Sequence, residues 1–144
     1  MAQILFWVGD NRYVIDNKYV QQVIPRIILK KMTNVPPFMA GLLNLGGRLL
    51  PVLDFCQFIM GSPAIQAWHS RIILLSYQNA FLGLIGEKVG ELVHLQHDQV
   101  LSTAYLKPWP FFDQPISDEQ GMIEYINAAA LFEFVEEQIG FTAQ

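Results

Sequence analysis

One cysteine, Cys56, is present in 144 residues. An internal disulfide is therefore impossible, and a reducing compartment suits the chain. Charged residues make up only 15% of the sequence, against 52% hydrophobic residues, so the chain can bury a core and is not intrinsically disordered. No basic stretch precedes the apolar residues of Met1-Ala2-Gln3-Ile4, which does not fit a secretory signal. No long unbroken apolar run exists either. The most apolar window, Phe38 to Met60, contains Asn44, Arg48 and Asp54 along with glycine and proline, which argues against membrane insertion. A phosphate-binding glycine loop and a dinucleotide fingerprint are both missing. His94 and His97 have no cysteine or carboxylate pattern to complete a metal site, so no metal is expected. Cys56 has no accompanying triad, and no acid, base and nucleophile cluster together; the chain reads as a non-enzyme without a cofactor. An acidic protein without a basic stripe is a poor match for nucleic acid, although Trp109, Phe111 and Phe112 could in principle stack bases. Those aromatics could equally cover a barrel end or form a partner patch.

The residues present favour strands. Ile4–Val8 and Tyr13–Ile15 flank the turn signal Gly9-Asp10-Asn11. Val20, Val23 and Ile24 fit one helical turn or a bent strand before Pro25, and Ile27-Ile28-Leu29 is strand-like. Val35-Pro36-Pro37-Phe38 must be a loop. Two strands, about 41–46 and 48–53, meet at Gly46-Gly47, a hairpin turn. Asp54 is expected to cap a short helix, with Gln57 in a capping-box relation and Gly61 as the stop. Ser62 to Ser70 reads as a linker. Arg71–Tyr77 and Phe81–Ile85 form a second hairpin, Val89–Leu95 a further strand or bent strand, and Lys107–Pro115 an irregular aromatic stretch. Met122–Ile126 is the last strand, and Asn127 caps a helix carrying Leu131, Phe134, Val135, Gln138 and Ile139 at helical spacing.

A weak internal repeat accompanies these elements. Residues 5–24 align with 74–93, and Leu53-Asp54 and Phe58-Ile59 align with Ile126-Asn127 and Leu131-Phe132. Two halves, roughly 1–70 and 71–144, would each contribute short strands and a capped helical turn. Charge is uneven along the chain: residues 1–72 carry seven basic and three acidic residues, and residues 73–144 carry two and ten. That polarity suits head-to-tail contacts or an internal interface, and is also compatible with an ordinary solvated surface.

The stretch Gly41-Leu42-Leu43-Asn44-Leu45-Gly46-Gly47-Arg48-Leu49-Leu50-Pro51-Val52-Leu53-Asp54-Phe55 resembles the signature of the CheW-like coupling domains of bacterial chemosensory systems, roughly G-[VI]-x-N-L-R-G-x-[VIL]-[VIL]-P-[VI]-[VIL]-D-L. Tyr13–Asp16, Val20–Val23, Pro37–Gly41, Gly83–Val89 and Met122–Phe132 follow other family stretches in order and spacing. The resemblance implies a single CheW-like domain over 1–144: all-β, built as two intertwined small five-stranded β-barrels, with short helical turns and a C-terminal helix. It also implies a non-enzymatic cytoplasmic adaptor at receptor arrays on the inner membrane. The implied partners are the regulatory domain of a CheA-type histidine kinase and the cytoplasmic tip of methyl-accepting chemoreceptors. Partner contact would fall to Val20, Gln22, Gly41, Asn44, Leu45, Gly46 and Arg48. Two positions depart from the pattern together. Gln22 replaces the Glu of V-x-E-V, and Gly46 replaces the Arg of N-L-R-G, which suggests a rebuilt surface in a divergent branch such as a pilus- or twitching-type system. The competing reading is a small-ligand or oligonucleotide-binding barrel that shares only the fold.

Overall fold

The computed structural model describes residues 2–64, 69–95, 109–113 and 115–140. Ten strands occur in it: β1 Gln3–Val8, β2 Asn11–Asp16, β3 Val20–Pro25, β4 Met39–Leu45, β5 Arg48–Asp54, β6 Arg71–Tyr77, β7 Ala80–Gly86, β8 Lys88–Val93, β9 Ile116–Asp118 and β10 Gly121–Ile126. Two helices, α1 Phe55–Met60 and α2 Ala128–Ile139, follow β5 and β10. The strands form two five-stranded, barrel-like sheets, ordered β8-β1-β2-β10-β9 and β3-β6-β7-β5-β4.

The two sheets are built alike. In each, an antiparallel hairpin (β1–β2 or β6–β7) is joined by one parallel pairing to a strand that leads into a helix: β2 to β10, and β7 to β5. Displacing β1 by 69 residues lays it on 72–77, within β6; β2 and β3 then fall on β7 and β8. Each half of the chain thus gives its hairpin to one sheet and its remaining strands to the other. This exchange is the intertwining that the fold class anticipates. Consecutive apolar residues buried on both faces, as in Ile72–Leu75 of β6 and Leu82–Ile85 of β7, explain the inner strands, while β4 alternates toward the interior. The core joins both sheets and both helices, with Phe6, Ile15, Val52, Phe55, Ile72, Leu84, Phe111 and Leu131 fully buried.

Turn and cap chemistry hold the elements in register. Gln78 and Asn79 both have positive φ, 49° and 66°, the geometry of a two-residue hairpin turn. Asp54 Oδ1 accepts a hydrogen bond from Cys56 N at 3.0 Å, and its Oδ2 accepts one from Ala64 N at 2.9 Å. The cap bond reaches the second helical residue rather than Gln57, and the second oxygen secures the chain beyond the helix. Gly61 and Gly140 end the two helices in the left-handed region, and Asn127 Oδ1 caps α2 through Ala130 N at 3.0 Å.

Of the two readings of Val20–Pro25 the bent strand holds, with a register shift between Val20 and Gln22, and a helical turn lies just before it at Asn17–Tyr19. Two sequence expectations change. Ile27-Ile28-Leu29 is not a strand. Pro25 ends β3, only Lys30 bridges to Leu42, and Ile28 is 98% exposed, because no neighbouring strand completes a ladder there. The three-residue β9, just after Pro115, escapes a reading that needs four or more alternating residues. Phe111 and Phe112 are core residues, and Trp109 is half-buried against them. His97, Lys107, Pro108, Gln114 and residues 65–68 of the expected linker lie outside the described residues.

One ion pair ties β2 to the β9–β10 turn. Arg12 Nη2 and Nη1 bind the two carboxylate oxygens of Asp118 at 2.5 and 2.8 Å. This bidentate hydrogen bonding lowers the Asp118 pKa from 3.8 to about 2. The unfolded chain therefore takes up this proton first on acidification. The contribution is complete above about pH 4 and is lost as pH falls toward 2. Urea unfolding between pH 5 and 2 should show this loss, and Asp118→Asn should remove that part of the pH dependence. An unchanged slope in the variant would refute the assignment.

Candidate partner-docking face

The second sheet ends in β3 on one side and β4 on the other, and these two edges face one groove. Gln22 of β3 and Leu45 of β4 line it, together with Phe81 of β7; Leu50, Leu74, Leu75 and Leu82 form its floor. Its volume is about 100 Å3, too small to enclose a ligand and better suited to receiving a protruding side chain. Arg48, the first residue of β5, lays its guanidinium over the Phe81 ring, 4.5 Å from the centroid. Leu45 and Leu49 are 42% and 40% exposed beside it. The rim is thus apolar with one cation placed on it.

The sequence-derived site residues separate into two groups here. Gln22, Leu45 and Arg48 come together at the groove. Val20 pairs with Leu75, a floor residue, and so sits next to it. Asn44, Gly46 and Gly41 belong to the backbone. Asn44 Oδ1 accepts a hydrogen bond from Gly47 N at 3.0 Å and closes the hairpin. Gly46 and Gly47 have φ of 60° and 86°, so the chain turns here and Arg48 starts a new strand. A Cβ on Gly46 would meet nothing within 4 Å; the turn's backbone, not crowding, favours glycine. Gly41 is different. A Cβ there would lie 2.6 Å from the Lys30 carbonyl oxygen, where the 26–31 segment crosses β4. Phe81 was not legible as part of the site, because it comes from a hairpin whose pairing is non-local. The only signal was the likeness of that hairpin to β1–β2.

Charge follows the sheets more closely than it follows the halves of the sequence. Residues 17–86, which contain every strand of the second sheet, carry six basic residues and one acidic residue, 6 - 1 = +5. The remainder carries three and twelve, 3 - 12 = -9. The docking groove therefore sits on a basic barrel joined to an acidic one. Among the described residues no group of three or more His, Cys, Asp or Glu could hold a metal ion. Burial raises the Cys56 thiol pKa, the opposite of what a nucleophile needs. No described helix is long and apolar enough to cross a membrane.

Two intertwined barrel-like sheets, with a small groove between the edge strands of the second, define a two-barrel domain. A profile of the CheW-like domain matches residues 3–136, and the chain belongs to that family. It is 22% identical over 116 residues to Chemotaxis protein CheW of Klebsiella aerogenes, covering 81% of this chain and 66% of that protein. It is 26% identical over 93 residues to Protein PilI of Pseudomonas aeruginosa, covering 65% of this chain and 52% of that protein. The matches thus span between about half and two thirds of these relatives' lengths. The crystal structure of scaffolding protein TtCheW from Thermoanaerobacter tengcongensis superposes with a TM-score of 0.77 at 22% identity, covering 87% of this chain and 82% of that one, which shows the shared fold.

Proposed function

We propose that this protein is a cytoplasmic adaptor that couples methyl-accepting chemoreceptors to the regulatory domain of a CheA-type histidine kinase, in a chemotaxis or twitching-motility system. Residues 1–144 act in it as one domain. The observation carrying this reading is the groove where Gln22, Leu45 and Arg48 meet Phe81 on the basic barrel. An arginine anchored on an aromatic ring at an apolar rim suits a protein-docking centre. Calorimetric titration with the purified regulatory domain from the same genome should give saturable binding. Arg48→Ala should weaken partner binding about five- to tenfold with little change in thermal stability, since the lost contact lies on the surface. No complex with wild type at high micromolar concentration would end the kinase reading.

Receptor contact differs from the family pattern in this proposal. Gln22 and Gly46 lack the charges that the pattern places there, and Arg48 is held over Phe81 rather than over the vacated place. The open space at Gly46 admits an arginine, at about 1–2 kcal/mol of backbone strain. Restoring Gln22→Glu with Gly46→Arg should raise affinity for ordinary receptor tips. Equal binding by the restored and wild-type proteins would make the two departures neutral.

A further inference from the structure

A second cleft lies on the acidic barrel, away from the docking groove, where β2 and β10 run parallel with Tyr13 and Glu124 in register. Glu124 is only 7% exposed, and its Oε2 has no hydrogen-bond partner. A buried carboxylate oxygen without a partner is an energetic liability, and such groups in native proteins call for an explanation. The nearest basic residue on the same cleft, Arg12, does not supply one. Its guanidinium is held by Asp118 and by the Gly121 carbonyl at 3.0 Å.

The rest of the cleft is aromatic. Tyr13, Phe58, Trp109 and Phe112 wall a space of about 220 Å3, and Met122, 44% exposed, stands at its edge. The indole Nε1 of Trp109 donates to the Phe58 carbonyl at 3.2 Å, which fixes the ring as a wall. Tyr13 and Phe112 stack at 6.4 Å. Aromatic faces attract cations, and a carboxylate oxygen at the same place supplies a full opposite charge. An excess of nine acidic residues over this part of the chain also concentrates cations near it. One orphaned oxygen matches a compact ammonium better than the two-pronged fork of a guanidinium.

We infer that the cleft beside Glu124 binds an alkylammonium group, with the charge on Glu124 and the carbon stem against Trp109 and Phe112. The group could belong to a free small amine or to a lysine side chain of a docked protein. Both present the same chemistry.

The full-length protein tests this directly. Butylammonium chloride at millimolar concentration should raise the thermal midpoint saturably, while n-butanol and sodium chloride of matched ionic strength should not. Glu124→Gln, nearly isosteric, should bind butylammonium at least about tenfold more weakly. Should that variant not fold, Met122→Lys, which sets a competing ammonium at the exposed edge of the cleft and leaves the carboxylate intact, should also weaken binding. Nα-acetyl-lysine amide separates the sources: tighter binding than butylammonium points to a partner's lysine, and equal or weaker binding to a free amine. No saturable response in wild type would overturn the inference, as would an equal response in Glu124→Gln. None of these outcomes bears on the adaptor reading, which rests on a different face.

Discussion

Phe55→Ala should lower the unfolding free energy by about 3–5 kcal/mol and leave unfolding as one transition. Phe55 is fully buried at the first position of α1, directly after the Asp54 cap. Its ring lies 5.8 Å from Phe6 and 5.1 Å from Tyr13, both in the first sheet, although the chain reaches it from β5 of the second. Phe58, Phe111 and Phe112 complete the shell at 5.7, 6.0 and 6.0 Å. Truncation to alanine leaves a cavity between two sheets that cannot easily close, because each is tied to the other by exchanged strands. Loss of this size is a large part of the 5–15 kcal/mol that typically holds a domain of this length together. Urea unfolding followed by circular dichroism and tryptophan fluorescence should give coincident curves, shifted to lower denaturant. Separate transitions for the two probes in wild type would show that the barrels unfold independently.

Gly41→Ala should destabilise by about 2–4 kcal/mol, more than most single-methyl additions. The added Cβ would come 2.6 Å from the Lys30 carbonyl, and that carbonyl cannot move alone. It accepts a hydrogen bond from Leu42 N at 2.7 Å, while Lys30 N donates to Leu42 O at 2.9 Å. The φ of 153° at Gly41 adds backbone strain for any residue with a side chain. Both bonds should weaken, freeing the 26–31 segment from β4. Thermal denaturation measures the loss, and amide exchange at Lys30 and Leu42 locates it. A variant as stable as wild type would mean that the crossing shifts freely. Partner binding at Arg48, measured below the variant's melting temperature, should change little, which distinguishes a steric role for Gly41 from a docking role.

Much of this architecture is legible in the sequence because its signals are local. Alternating apolar residues, Gly46-Gly47, Gln78-Asn79, and the caps Asp54 and Asn127 each determine a few neighbouring residues. The family signature carries the arrangement of strands that local signals cannot. Ile27-Ile28-Leu29 has strand composition but no neighbour to pair with, and pairing depends on residues elsewhere. Gln22, Leu45 and Arg48 could be named from the motif. Phe81 could not, since it reaches the groove only through the parallel junction of β5 and β7. Glu124 is harder still. An acidic residue in a short apolar strand reads as solvent-facing, and only the three-dimensional packing of Trp109, Phe58 and Phe112 shows it to be enclosed. The charge polarity was visible as +4 and -8 across the midpoint, but the boundary that matters lies at residues 16 and 86, where the chain changes barrels.

That same boundary orders events during synthesis. The basic barrel is one uninterrupted run, β3 through β7, so every strand it needs has left the ribosome once residue 86 has emerged. β1 and β2 emerge earliest and then wait. Their partners β8 and β10 arrive last, and the parallel seam between β2 and β10 joins Arg12 to Ile123 across most of the chain. Closing so long a loop is entropically slow, and an unpaired hairpin edge is open to the wrong neighbour in the meantime. With residue 86 out, every strand of one barrel has emerged while the other has only its first two, and the final seam can be made only after nearly all of the polypeptide is free.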